Sequence, residues 1–300
     1  MKIGLVGCGR WGRYILRDLK SMGHEVYVVA RSSQSIHNAI ELQADEIVDD
    51  VAGLREDLDG FVVASPTATH SHVVRELLSR HKPMFVEKPF CTDSQEAQRI
   101  LEQSSCPIFV MHKWRYHPAI EMIKTYCESK ELGELIQINT QRNQWGTPHK
   151  DVDTNWIHLP HDLSIIWHLL GYIPKPQSVT WIKDRSGATQ GLMASLMSDV
   201  LCTLEHNIGY ASKRRCLNVQ FEGGVLQMHD PLADHILLRK GKPTEKKPIS
   251  KISVSTEMPL FRELAAFVRF IQNDEEVLYT PLSEEIELIK TIEFLYAIAK

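Results

Sequence analysis

Ile3-Gly4-Leu5-Val6-Gly7-Cys8-Gly9-Arg10-Trp11-Gly12 is an apolar run that breaks into glycines spaced G-x-G-x-x-G, and Tyr14-Ile15-Leu16 to Leu19 follows with helical spacing as far as Gly23. Strand, glycine turn and helix in that order suit the pyrophosphate of a dinucleotide. The first glycine permits a tight turn, the second lets phosphate approach the backbone, the third lets the helix pack closely, and the helix N-terminus stabilises the negative charge. A glycine hexad recurs by chance, so its context carries the reading: Glu25-Val26-Tyr27-Val28-Val29-Ala30 supplies a second strand at βαβ distance. Gly7, Gly9, Arg10, Trp11 and Gly12 are the first candidate coenzyme contacts. The residue after the second strand discriminates between coenzymes, because an acid there binds the ribose diol and an arginine neutralises a 2′-phosphate. Arg31-Ser32-Ser33 stands there, which favours NADP and leaves NAD possible. The competing reading is a solvated Arg31 that stacks on adenine without discriminating.

The alternation set by this motif continues. Apolar strands are expected at 2–6, 25–30, 60–64, 83–87 and 107–111, with helices at 11–22, 34–43, 69–80 and 93–104 between them, the last opened by a Thr92/Gln95 capping box. Parallel neighbours need crossover connections, so this predicts a doubly wound parallel sheet of the Rossmann type over residues 1–118. His117-Pro118 opens another helix, with proline suited to its first turn. After Gly133 the pattern becomes alternating, in 135–140, 200–204 and 225–228, with a hairpin at Glu222-Gly223-Gly224. One helix is expected at 161–170 and two more after Pro259 and Pro281. Residues 119–300 are thus expected to form an α+β domain with a largely antiparallel open sheet.

Three hundred residues bury two ordinary cores, and the apolar and charged fractions, 43% and 24%, are those of a globular protein. A net charge of −4 argues against a nucleic-acid or anionic-membrane partner. Arg239-Lys240-Gly241-Lys242 with Lys246-Lys247 reads as a solvated hairpin or loop. The six cysteines lack CxxC spacing, and no apolar run reaches the ~18 residues of a membrane span. With no signal sequence legible ahead of the first strand, a cytoplasmic protein is expected.

Later motifs come in a fixed order: Ser65-Pro66-Thr67-Ala68-Thr69-His70, then Glu87-Lys88-Pro89, then His112-Lys113-Trp114-Arg115-Tyr116-His117-Pro118, then Trp156-Ile157-His158-Leu159-Pro160-His161-Asp162. With the glycine turn, this series resembles the Gfo/Idh/MocA oxidoreductases over nearly the full length. The resemblance implies hydride transfer between nicotinamide C4 and a carbinol or carbonyl carbon of a sugar, cyclitol or nucleotide-linked sugar. It implies that Lys88, often followed by a cis prolyl bond, contacts the reacting oxygen, and that His161, opening a helix, exchanges the proton. It adds Ser65, Pro66, Thr67, His70, Glu87 and Lys88 itself to the coenzyme contacts, with Arg31 and Ser32 after the second strand, His70 either lining the nicotinamide site or capping its helix.

The chemistry agrees, since an ammonium or imidazole within hydrogen-bond reach stabilises the alkoxide that forms as hydride departs. Lys88 and His161 are expected to converge on one carbon. Many relatives carry an acid four positions before this histidine, where this chain has Ile157. Lys88 would then carry more of the proton transfer, or Asp151 or Asp153 reaches in. Arg115, Tyr116, Trp145, Asp151 and Asn155, with His161, are the candidate contacts to a polyhydroxylated ring, whose apolar face suits aromatic side chains. No carboxylate or cysteine completes a metal set around the histidines, so no metal is expected. A homodimer or homotetramer through the second sheet is expected. Two further readings follow from the same motifs: a dinucleotide-sensing regulator that has lost catalysis, and a reductase of a non-sugar carbonyl or conjugated double bond.

Overall fold

The computed structural model describes residues 1–146, 152–272 and 280–298. They form two compact units, Met1–Lys113 with Leu260–Ile289, and Trp114–Pro259 with the residues from Lys290 onward.

The first unit runs β1 (Lys2–Val6), α1 (Gly12–Ser21), β2 (Glu25–Val29), α2 (Ser33–Glu41), β3 (Glu46–Val48), β4 (Gly60–Val63), α3 (His70–Leu77), β5 (Met84–Glu87), α4 (Ser94–Gln103) and β6 (Ile108–Met111). The strands make one parallel sheet in the order β3-β2-β1-β4-β5-β6. Helices on a parallel sheet bury both of its faces, which is why β4 and β6 are apolar at nearly every residue and buried throughout. The expected doubly wound sheet is present, with one strand more than expected. Three-residue β3 is too short to leave a period of its own.

The second unit begins with α5 (Pro118–Ser129), whose first amides are met by the His117 ring: Nδ1 accepts from Ala119 N at 3.1 Å. It continues through β7 (Leu135–Trp145), α6 (Thr154–Leu170), β8 (Lys175–Lys183), β9 (Thr189–Met197), β10 (Leu201–Asn207), β11 (Gly209–Phe221), β12 (Gly224–Met228), β13 (His235–Lys240) and β14 (Ser250–Ser253). The eight strands are ordered β14-β13-β12-β11-β7-β10-β9-β8, antiparallel except for β7 beside β10. Ile138, Thr140 and Arg142 on β7 and Leu192, Ala194 and Leu196 on β9 are buried at every second position. That is the phase of the face on which α6 lies.

Two helices close the chain, α7 (Pro259–Ile271) and α8 (Leu282–Ile298). The expected second domain, 119–300, is therefore not one stretch. The first unit ends at Lys113 rather than 118, and α7 with the first half of α8 belongs to it. Phe267 packs 5.0 Å from Phe85 and Phe270 4.9 Å from Phe109 between ring centroids, so α7 completes the core beside β5 and β6.

Local expectations are corrected in two places. Helix α6 starts at Thr154, seven residues before the expected start. Asp153 accepts from Asn155 N at 2.8 Å as its cap, and Pro160 is tolerated inside it because almost every residue around it is buried. His161 therefore sits in mid-helix and does not open it. The cap of α4 is Asp93, whose carboxylate accepts from Gln95 N at 2.9 Å and Glu96 N at 3.1 Å, not Thr92.

Candidate functional site

In the first unit the glycines divide the work. Gly7 has φ +98°, and a Cβ there would meet Ala64 O at 2.8 Å; a Cβ on Gly12 would drive into the Gly7 carbonyl oxygen. Both positions are closed to side chains. At Gly9, by contrast, nothing lies within 4 Å of a built Cβ, so the turn leaves open space above its middle glycine. Trp11, at the head of α1, makes no capping hydrogen bond with its side chain; the next helix amides are met by backbone, Arg13 N donating to Gly9 O at 3.2 Å and Tyr14 N to Trp11 O at 2.9 Å. The fit to a pyrophosphate is steric and electrostatic at once. These residues would hold a dinucleotide.

Arg31 stands at the exposed end of β2, its Nε donating to Asp49 O at 2.8 Å. Ser32 is spent on structure: its hydroxyl accepts from Ser35 N at 3.1 Å and caps α2. Beside Arg31 lies a cavity of about 610 Å³ lined also by Asp50, Glu56, Glu76 and Arg80. Arg80 is paired with Glu56 at 2.6 Å, whereas Arg31 has no carboxylate partner among the described residues.

Lys88 follows β5 at its C-terminal end, where open parallel sheets bind ligands. Its peptide bond to Pro89 is cis. Its backbone N–H donates to Glu87 Oε2 at 2.7 Å. His70 is 1% exposed and joins two loops: Nδ1 meets Pro89 O at 3.0 Å and Nε2 meets Ser65 O at 2.8 Å. It thus ties the turn after β4, with Ser65, Pro66 and Thr67, to the turn that carries Lys88, and does not cap the helix it opens. Lys113 Nζ lies 4.3 Å above the Trp11 ring, bringing the end of β6 to the glycine turn.

A second carboxylate comes from far along the chain. Glu263 sits on the apolar stripe of α7 between Leu260, Leu264 and Phe267 and is 1% exposed. Burial first, and then the charge of Glu87, raises its carboxyl well above 4.5; Lys113 opposes this. Burial raises Glu87 too, but Lys88, Lys113 and the Lys88 amide all pull it back. Glu87 is the partner better able to carry the charge.

In the second unit, His161 is half-buried, with its ring edge-on to Trp114 at 6.3 Å. Trp114 stacks on His117 at 5.4 Å, and the Arg142 guanidinium covers it at 4.8 Å. Arg142 forks onto Asp162, the residue after His161, with Nη2 to Oδ1 at 2.7 Å and Nε to the two oxygens at 3.1 and 3.2 Å. Both side chains are 5% exposed or less. The imidazole therefore rests on a frame in which a buried bidentate ion pair locks strand β7 to helix α6.

The other expected substrate contacts fall unevenly. Trp145 is 79% exposed, whereas Arg115 and Tyr116 lie in the interior at 2% and 4%. Asn155 is fully buried and donates to Tyr296 Oη at 3.2 Å, while that phenol donates to Asp153 Oδ1 at 2.7 Å. Asp153 is thus engaged in capping α6 and in holding α8. Ile157 is 6% exposed, a packing residue of α6. Asp151 lies outside the described residues.

Residues 1–106 match the Gfo/Idh/MocA family model, described as an oxidoreductase family with an NAD-binding Rossmann fold. The match covers the nucleotide-binding part of the chain, about a third of its length. An inositol 2-dehydrogenase of Saccharopolyspora erythraea is 28% identical over 183 residues, 57% of this chain and 54% of that protein. The chain spans about half the length of the curated relatives it matches first. Solved structures resemble it over their whole length. A levoglucosan dehydrogenase in complex with NADH and levoglucosan superposes with a TM-score of 0.86 at 11% identity, covering 100% of this chain and 97% of that one. A variant 3-ketoreductase from Actinomadura kijaniata, in complex with TDP-benzene and NADP, gives 0.85 at 14% identity, covering 100% and 98%. At such identities the likeness is one of fold.

Three buried or half-buried charged side chains, two in the second unit and one in the first, escaped the sequence reading. Arg142 and Arg215 lie on strands at inward positions, and Glu263 interrupts an apolar helix stripe. Each is a charge out of phase with its surroundings, and that was the available signal. Among the described residues no group of histidine, cysteine or acidic side chains could hold a metal, and no helix is long and apolar enough to cross a membrane.

Proposed function

We propose that the chain is an NADP-preferring dehydrogenase or reductase that exchanges a hydride with a carbinol or carbonyl carbon of a sugar, cyclitol or nucleotide-linked sugar. The observation that carries it is the pairing, within one unit, of a glycine turn with space for pyrophosphate and a lysine at the C-terminal end of a neighbouring strand. The bound coenzyme supplies or accepts the hydride. Lys88 holds the reacting oxygen through its ammonium, stabilising the developing alkoxide, and His161 accepts or returns the hydroxyl proton. The frame of Trp114, Arg142 and Asp162 keeps the imidazole in one orientation.

Arg31 supports the coenzyme preference, because an exposed guanidinium without a carboxylate partner can pair with a 2′-phosphate. The burial of Ile157 bears on the sensor reading: that site belongs to packing, and a carboxylate there would be desolvated. Exposed Met193 and Met197 on the outer face of β9 support assembly through the second sheet.

NADPH fluorescence titration followed by turnover on a polyol and sugar panel tests the reading. The wild type should bind NADPH more tightly than NADH, with Arg31→Ala removing about 10- to 100-fold of that preference. Lys88→Ala and His161→Ala should each lower kcat by about 10²- to 10⁴-fold, and His161→Ala should leave coenzyme affinity in place. A wild type that ignores both dinucleotides, or a lysine variant that turns over undiminished, ends it.

A further inference from the structure

Across β10, β7 and β11, His206, Arg142 and Arg215 stand side by side at one register level, on the face that carries α6. Arg142 is matched by its fork on Asp162. Arg215 is not. It donates through Nη1 to Asn143 O at 2.9 Å and Arg214 O at 3.0 Å, and through Nη2 to Gln144 Oε1, all neutral acceptors. Among the described residues no carboxylate lies within ion-pair distance of it. The nearest anion it feels, Asp162, is already engaged by Arg142, and burial together with Arg142 pulls the Arg215 guanidinium down to about 10. His206 offers no compensation, since burial and the same two arginines push its imidazole down to about 3 and keep it neutral.

A half-buried cation with neutral partners pays for desolvation without the attraction that would offset it. Three carbonyl contacts do not explain a guanidinium, because a glutamine amide could reach such acceptors without burying charge. A planar fork with donors to spare matches a carboxylate or a phosphate.

We propose that Arg215, with Gln144 orienting it, is an anion subsite, and that the substrate presented to His161 carries a carboxylate or phosphate group. The proposal rests on the reading of His161 as the proton-transfer residue, and it separates sugar acids, sugar phosphates and nucleotide-linked sugars from neutral polyols.

Calorimetric titration of the full chain with methyl phosphate and with acetate tests the subsite without turnover. At least one should bind, and the one that binds tells phosphate from carboxylate. Arg215→Gln should abolish that binding and Arg215→Lys should retain part of it. In turnover, R215Q should raise KM for anionic substrates by about 10- to 100-fold with kcat little changed, and leave neutral ones unaffected. If R215Q does not fold, R215K and Gln144→Leu carry the same comparison. Failure of both anions to bind, or binding that survives in R215Q, overturns the subsite. Anion binding lost in R215Q but with no turnover of any panel substrate keeps the subsite and overturns the oxidoreductase reading.

Discussion

Glu263 shows how one side chain reports on its surroundings. With a native pKa above 4.5, it binds more protons folded than unfolded between that value and the native one, so stability falls as pH rises through that window. Glu263→Gln keeps the shape and removes the titration. Measured by urea unfolding, the stability of the wild type relative to the variant should drop by up to about 1.4 kcal/mol per pH unit above 4.5, and be constant below it. A difference that stays flat from pH 4 to 7 would mean that Glu263 titrates normally. Its raised carboxyl was invisible in the sequence because nothing local marks it: its partners Glu87 and Lys113 are 176 and 150 positions away. Lys88 was legible because its position at a strand end follows from the strand itself.

Elements differ in how much of their geometry is local. The glycine turn is wholly so, which makes its glycines separable by experiment. Gly9→Ala should melt like the wild type yet bind NADPH at least about tenfold more weakly, since its Cβ enters only the space left for phosphate. Gly12→Ala should lower the melting temperature, because its Cβ collides with Gly7 O. Equal losses of stability in both would contradict this division. Helix α6 is the opposite case. Its hold on β7 depends on Arg142 and Asp162, 20 residues apart, and Asp162→Leu, leaving a buried guanidinium without its anion, should cost about 3–5 kcal/mol by denaturant titration. The expected start at 161 missed this helix's first two turns because Pro160 reads as a boundary, while burial on nearly every side overrides that preference.

For the whole chain, acid sensitivity follows from two buried histidines. His168 and His206 are both held near 3 from an ordinary 6.5, so below 6.5 the unfolded chain takes up protons that the native one refuses. Stability should therefore fall as pH drops from 6.5 toward 3, and His206→Leu should lower the slope by up to about 1.4 kcal/mol per pH unit. An unchanged slope in that variant would show that His206 is not neutral in the native state. Repeating periods and spaced glycines announce themselves along the chain, because helix, strand and turn each depend on neighbours a few positions apart; the parallel sheet, the coenzyme turn and Lys88 were readable for that reason. The return of α7 to the first unit and the frame beneath His161 were settled only in three dimensions. So were the unmatched charge of Arg215 and five of the strands, β3, β8, β9, β13 and β14. Burial, ion pairing and strand neighbours join residues tens to hundreds of positions apart, and no local pattern encodes which ones will meet.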